Sequence, residues 1–204
     1  QLQAGDEILV CEMEHHANLI PWLMIAAEKG ARLVKWPVTA EGLPRNDLLP
    51  SLLSGKTRLL AVTQMSNVTG ALPVLSEIIA TAHAAGVKVL VDGAQGIVHQ
   101  PADVTALKAD FYAFSGHKLY GPTGVGVLYA SAECLAEMKP WIGGGKMVDQ
   151  VSFDGFTAMA PPHGLEAGTP NIAGGLALWA PARKSVVQGQ SVDLGGRGCI
   201  SITQ

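Results

Sequence analysis

Short apolar runs rich in β-branched residues recur along this chain with helix-forming segments between them. That alternation limits the fold more than any other feature. The apolar runs fall at 7–11, 31–36, 57–63, 87–91, 109–114 and 125–129, and read as strands. The intervening segments at 18–29, 46–53, 75–85, 104–107 and 131–138 have helical spacing or helix-forming composition. Runs such as KVLVD and RLLAVT are apolar toward both faces, as strands are when helices cover both sides of a mostly parallel sheet. The predicted fold is therefore α/β, a mostly parallel open sheet with helices on both faces.

Composition supports a folded chain and narrows its partners. Of 204 residues, 48% are hydrophobic and 15% charged, which lets the chain bury enough apolar surface to offset its ordering entropy. Fourteen Lys and Arg against seventeen Asp and Glu give a net charge of -3, with no basic block, so neither nucleic acid nor an anionic membrane is expected as a partner. The apolar run at 19–27 contains Pro21 and is shorter than the ~20 residues that cross a bilayer. Cys11, Cys134 and Cys199 are odd in number and far apart, which fits reduced thiols and a cytoplasmic location. No start methionine or basic-then-apolar leader opens the chain, and a fragment is expected.

Local punctuation agrees with the helix pattern. Asn18 reads as an N-cap, Ser76 and Glu77 as a first turn, and Gly30 and Gly86 as the left-handed residues that follow helices. From about residue 176 the pattern changes. The stretch 181–204 has weak periodicity and several glycines, and no helix or strand is assigned to it. GPTGVG and GGGK read as loops.

In an open parallel sheet, ligands bind outside the carboxyl ends of the strands. Two clusters stand there: Asp92, Gly93, Ala94 and Gln95 after one run, and Ser115, Gly116, His117 and Lys118 after another. One crossover separates the two strands, which would let Asp92 and Lys118 face a common crevice. An acid and an amine so placed allow a structural ion pair, a solvated lysine beside an N-capping aspartate, or a Schiff-base site. The last requires an amine able to react in its neutral form, a carboxylate near a pyridine nitrogen, and a phosphate cradle. Ser115 and His117 offer a hydroxyl and an imidazole, and the glycines of GPTGVG permit close backbone approach. GGGKM lacks the order of a nucleotide phosphate loop, and no GxGxxG follows the first strand. Cys11, His15 and His16 find no fourth ligand at suitable spacing, so no metal site is expected. His83, His99 and His163 read as solvated or packing residues, and His16 as structural.

The strings GDEILVCEMEHHANLIPW, TQMSNVTG, VDGAQG, FYAFSGHKLYGPTGVGVLY, GGGKM and LEAGTPN, in this order, resemble cysteine desulfurases of the SufS/CsdA type. These belong to the class V aminotransferase group of fold-type I pyridoxal-phosphate enzymes. The resemblance covers residues 1–175, implying part of a cofactor-binding large domain, and leaves 176–204 as a tail outside the family pattern, from truncation or a shifted frame. It implies pyridoxal 5'-phosphate as cofactor, Lys118 as the Schiff-base lysine, Asp92 as the pyridinium partner and Gln95 as donor to the phenolic oxygen. It further implies that His15 stacks on the ring and helps move protons, and that Asn67 lies near the phenolic oxygen and substrate carboxylate. Ser115 and His117 are implied as phosphate ligands, with Thr169 as a phosphate contact given by the other subunit of a homodimer.

The activity so implied converts L-cysteine to L-alanine, with sulfur moved to an enzyme cysteine as persulfide for iron–sulfur cluster assembly. A sulfur-acceptor protein of the SufE/CsdE type is the implied partner. The family's nucleophilic cysteine and substrate-binding arginines are not found among these residues, and Cys199 in GRGCIS is a poor match to that nucleophile. A selenocysteine lyase, another class V enzyme such as a kynureninase-like hydrolase, and a non-catalytic α/β remnant are the alternative readings.

Overall fold

The computed structural model describes residues 2–100, 102–187 and 199–202. The chain forms two units, residues 1–112 and 113–204. The expected mostly parallel α/β architecture is present.

In the first unit, four parallel strands lie in the order β2-β1-β3-β4. They are β1 (Glu7–Cys11), β2 (Arg32–Trp36), β3 (Thr57–Thr63) and β4 (Lys88–Asp92). Parallel neighbours require crossovers. These are supplied by α1 (Ile20–Lys29), by a segment carrying α2 (Leu49–Leu52), and by α3 (Leu75–Ala84). Every residue of β1 is buried. Ile8 and Val10 pack with Ala61, and Leu19, Trp22 and Ile25 cover them. Leu9 and Cys11 are also buried and, by strand alternation, point to the opposite face. Burial on both sides is why this run is continuously apolar, and a fully buried Leu or Ile contributes roughly 1.5–3 kcal/mol of hydrophobic stabilisation.

Glu7 fastens this layer at the start of β1. Its carboxylate accepts hydrogen bonds from Arg32 of β2 and from the hydroxyls of Ser54 and Thr57. The Ser54 hydroxyl first, and the Arg32 guanidinium next, hold the carboxyl below the usual glutamate range.

α1 ends as expected, with Gly30 in the left-handed region at φ 67° and its N–H bonded to Ala26 O. Its start differs. The Asn18 side chain does not cap it: Pro21 occupies the first turn, where a missing N–H costs nothing, and Asn18 is buried in other contacts. The preceding 3-10 turn (His16–Asn18) is capped by the His15 ring, which accepts from Ala17 N. Beyond β4, α4 (Gly96–His99) and α5 (Val104–Leu107) precede β5 (Phe111–Ser115), which crosses the boundary between the units. Asp103 caps α5 by accepting from Thr105 N and Ala106 N.

The second unit contains β6 (Gly126–Ala130), α6 (Ala132–Glu137), a hairpin of β7 (Val148–Ser152) and β8 (Gly155–Ala158), α7 (Ile172–Val187) and β9 (Cys199–Ile202). β9 pairs antiparallel with β6, Leu128 opposite Ile200. The hairpin, α4, α7 and β9 are not legible as elements in the sequence pattern. The hairpin strands are almost wholly exposed and carry no apolar alternation. α7 contains Gly174, Gly175 and Pro181, all weak helix formers.

Candidate active site

Three strand ends of the first unit carry the candidates. The register sets Thr63 beside Asp92, so β3 and β4 terminate together. Gln64 N donates to Asp92 O at 2.9 Å, and the Thr63 hydroxyl lies 3.0 Å from Met65 O and 3.3 Å from Asp92 O. Asp92 is half-buried, and its Oδ1 accepts from Ala94 N at 2.8 Å. Its Oδ2 has no hydrogen-bond partner among the described residues. Gln95 is half-buried in the turn leading into α4, and its side-chain amide has no hydrogen bond among the described residues.

Asn67 lies on the turn after β3 and is exposed. Ser66 shapes this turn: its Oγ accepts from Val68 N and Thr69 N, and its carbonyl accepts from Gly70 N. His15 lies four residues beyond β1 and is also exposed. Because its Nδ1 accepts from Ala17 N at 3.1 Å, Nε2 carries the proton of the neutral ring. The His15 and His16 rings stand 6.0 Å apart and tilted by 41°, so they do not stack on one another.

Two buried polar groups behind these candidates escape a reading of the sequence. Glu14 is buried, its Oε1 accepting from Thr63 N at 2.7 Å and its Oε2 from Asn18 Nδ2 at 2.6 Å. Burial first, opposed by these two hydrogen bonds and aided by the charge of Asp92, pushes its pKa up to about 8. Tyr112 is buried and donates its hydroxyl to Gln64 Oε1. Burial, and then the Asp92 charge, raises this phenol above its usual range. In EMEHHAN, Glu14 is one acid among several; only its position immediately after a fully buried strand hints at burial.

The second unit carries the other half of the predicted set. Ser115 ends β5, and the next residues form a single 3-10 turn (Gly116–Leu119). Gly116 N donates to Val125 O at 2.8 Å and Gly121 N to Gly116 O at 2.9 Å. Leu119 is buried and Tyr120 turns left-handed at φ 58°, which closes the turn. A Cβ on Gly116 would lie 2.8 Å from Val125 Cγ1, so glycine is needed there for close packing. On this frame Ser115 and Lys118 are half-buried and His117 is exposed. Among the described residues, Lys118 Nζ forms no ion pair or hydrogen bond. Thr169 is exposed, on a loop held by Gly168 N donating to Gly145 O at 2.9 Å, which joins the GTPN and GGGK segments.

The model of the family described as aminotransferase class-V matches residues 1–184. The chain belongs to this family. As a class V member it is 62% identical over 180 residues to cysteine desulfurase CsdA of Escherichia coli (strain K12), covering 88% of this chain and 45% of that protein. The crystal structure of E. coli CsdA matches at 60% identity and TM-score 0.89, covering 91% of this chain and 47% of that one. A structure of a C-DES mutant with glycine covalently linked to the PLP cofactor matches at 31% identity and TM-score 0.80, covering 94% of this chain and 51% of that one. The class V chain described here spans about half the length of the curated relatives it matches. Among its described residues, no three His, Cys, Asp or Glu cluster as metal ligands, and no helix is long and apolar enough to cross a membrane.

Proposed function

We propose that this chain is the cofactor-binding part of a pyridoxal-phosphate-dependent cysteine desulfurase acting on L-cysteine. The observation that carries the proposal is the Lys118 amine: half-buried on a turn fixed by two backbone hydrogen bonds, with no carboxylate partner among the described residues. An amine held without a counter-ion among the described residues suits covalent attachment of an aldehyde cofactor. The residues fit the cofactor in kind. Asp92 has one carboxylate oxygen engaged and the other open, as a partner for a ring nitrogen requires, and the Gln95 amide has no competing partner.

When bound, pyridoxal phosphate supplies an electron sink for the substrate carbon next to the carboxylate. The chain's own residues do the remaining work. Lys118 holds the cofactor through Nζ, Asp92 holds the ring nitrogen, and Gln95 donates to the phenolic oxygen. His15 covers the ring and moves a proton at Nε2, the nitrogen left over by its bond to Ala17 N. Asn67 lies near the phenolic oxygen and the substrate carboxylate, and Ser115 and His117 hold the phosphate. Thr169, on an exposed loop, reaches the phosphate of a second copy in a homodimer.

Sulfur leaves cysteine as a persulfide on an enzyme thiol and passes to an acceptor protein of the SufE/CsdE type, in the cytoplasm, for iron–sulfur cluster assembly. Cys11 and Cys134 do not suit the persulfide role, since both are buried and burial pushes the Cys11 thiol up to about 12. The side chain of Cys199 lies outside the described residues, and Cys199→Ser is expected to leave cofactor binding unchanged.

Borohydride reduction of the cofactor-loaded chain, followed by peptide mapping, tests the reading. The label is expected on the peptide containing Lys118; a label spread over surface lysines would contradict it.

A further inference from the structure

Glu14 is a buried carboxyl that the reaction as proposed does not use. Its two hydrogen bonds join two segments. On one side, Oε2 accepts from Asn18 Nδ2, and Asn18 N donates to His15 O at 2.8 Å, closing the turn on which His15 stands. Asn18 cannot reverse its amide without loss, because its Oδ1 accepts from Trp22 Nε1 at 3.0 Å. On the other side, Oε1 accepts from Thr63 N, the last residue of β3, which the register sets beside Asp92 and whose neighbour Gln64 N donates to Asp92 O at 2.9 Å. The path Trp22–Asn18–Glu14–Thr63 thus runs from α1, beneath the His15 turn, to the end of β3, beside the end of β4.

We infer that Glu14 is a positioning residue that fixes the His15 turn against the end of β3, beside the strand end carrying Asp92, and so sets where the His15 ring stands over the cofactor. The inference rests on the functional reading above for the roles of His15 and Asp92. His15 itself is exposed, and among the described residues its ring takes a single hydrogen bond, a local one from Ala17 N. The placement of its ring therefore follows the backbone of the turn, and Glu14 ties that backbone to the sheet. With the carboxylate ionised both oxygens accept, whereas a glutamine at position 14 keeps the shape but must aim an N–H₂ at either Thr63 N–H or the Asn18 amide donor, so one of the two ties is lost.

The test is a double-mutant cycle on pyridoxal phosphate binding, measured by titration calorimetry on the full chain at pH 9, where Glu14 is ionised. The variants are Glu14→Gln, His15→Ala and the pair together, with visible circular dichroism of each loaded protein as a report on the ring's surroundings. Glu14→Gln is expected to weaken binding about threefold or more and to reduce the visible dichroism toward that of His15→Ala, while causing no further loss in the His15→Ala background. Asn18→Ala, which removes one of the two Glu14 ties together with the Trp22 bond and leaves the buried carboxyl in place, is expected to act in the same direction. Equal losses from Glu14→Gln with and without His15, or no loss in either, would overturn the inference while leaving the functional reading intact. Failure of the unmodified chain to bind pyridoxal phosphate would overturn both.

Discussion

Gly93 lies so close to Tyr112 that a β-carbon built on it would stand 2.1 Å from the Tyr112 ring carbon Cζ. The glycine after Asp92 therefore makes room for the phenol that donates to Gln64. The same added carbon on Gly96 would meet the Gln64 side chain at 2.3 Å. A buried ring can yield less than a glutamine amide, so Gly93→Ala is expected to be the costlier change, by roughly 1–3 kcal/mol or more against a smaller loss for Gly96→Ala. Urea unfolding of both variants measures this, and equal stabilities would contradict the packing argument.

The Glu7 cluster yields a second expectation. Glu7 is buried, whereas the Arg32 side chain is 71% exposed. Glu7→Ala leaves the Ser54 and Thr57 hydroxyls without their shared acceptor, and about 1–3 kcal/mol is expected to be lost. Arg32→Ala removes a mostly solvated partner and should cost under about 1 kcal/mol. Denaturant midpoints of the two variants give the comparison; a larger effect at Arg32 would contradict it.

Glu14 predicts an unusual pH dependence. A carboxyl held at about 8 in the fold, against an ordinary glutamate value of 4.5, binds its proton more tightly folded than unfolded. Native stability should then fall as pH rises from about 4.5 to about 8, with the whole loss present above that range. Asp6 and Glu7 act in the opposite sense, since their lowered pKa values contribute stability that is lost only on acidification below the ordinary carboxylate range. Cys11 faces the same region, but its thiol is pushed up to about 12 and does not titrate in this window. Urea unfolding at pH 5.5 and 8.5 should show the wild type losing on the order of a few kcal/mol and Glu14→Gln losing little. Parallel behaviour of the two proteins would contradict the assignment.

The parallel layer was legible because burial on both faces forces continuous apolar runs: β1 and β3 fall at the residues the pattern marks, and β4 shifts by one. The exposed hairpin β7–β8 left no such trace, since no hydrophobic period is imposed on a ribbon facing water. Asn18 looked like a cap because its residue type suits one; its burial against Glu14 and Trp22 is a tertiary contact that local preference does not encode. Among the candidates, Asp92 and Ser115 end strands and Gln95 and Lys118 come three residues after them, positions the sequence pattern marks, whereas Glu14 and Tyr112 matter through burial, which spacing alone does not reveal.

The most direct test of the central claim is the visible absorption spectrum of the chain after incubation with pyridoxal phosphate and removal of free cofactor, compared between wild type and Lys118→Ala. The account predicts a visible band in the wild type that is lost in Lys118→Ala, with far-UV circular dichroism unchanged. A band of equal strength in both proteins, or none in either, would contradict Lys118 as the residue that holds the cofactor.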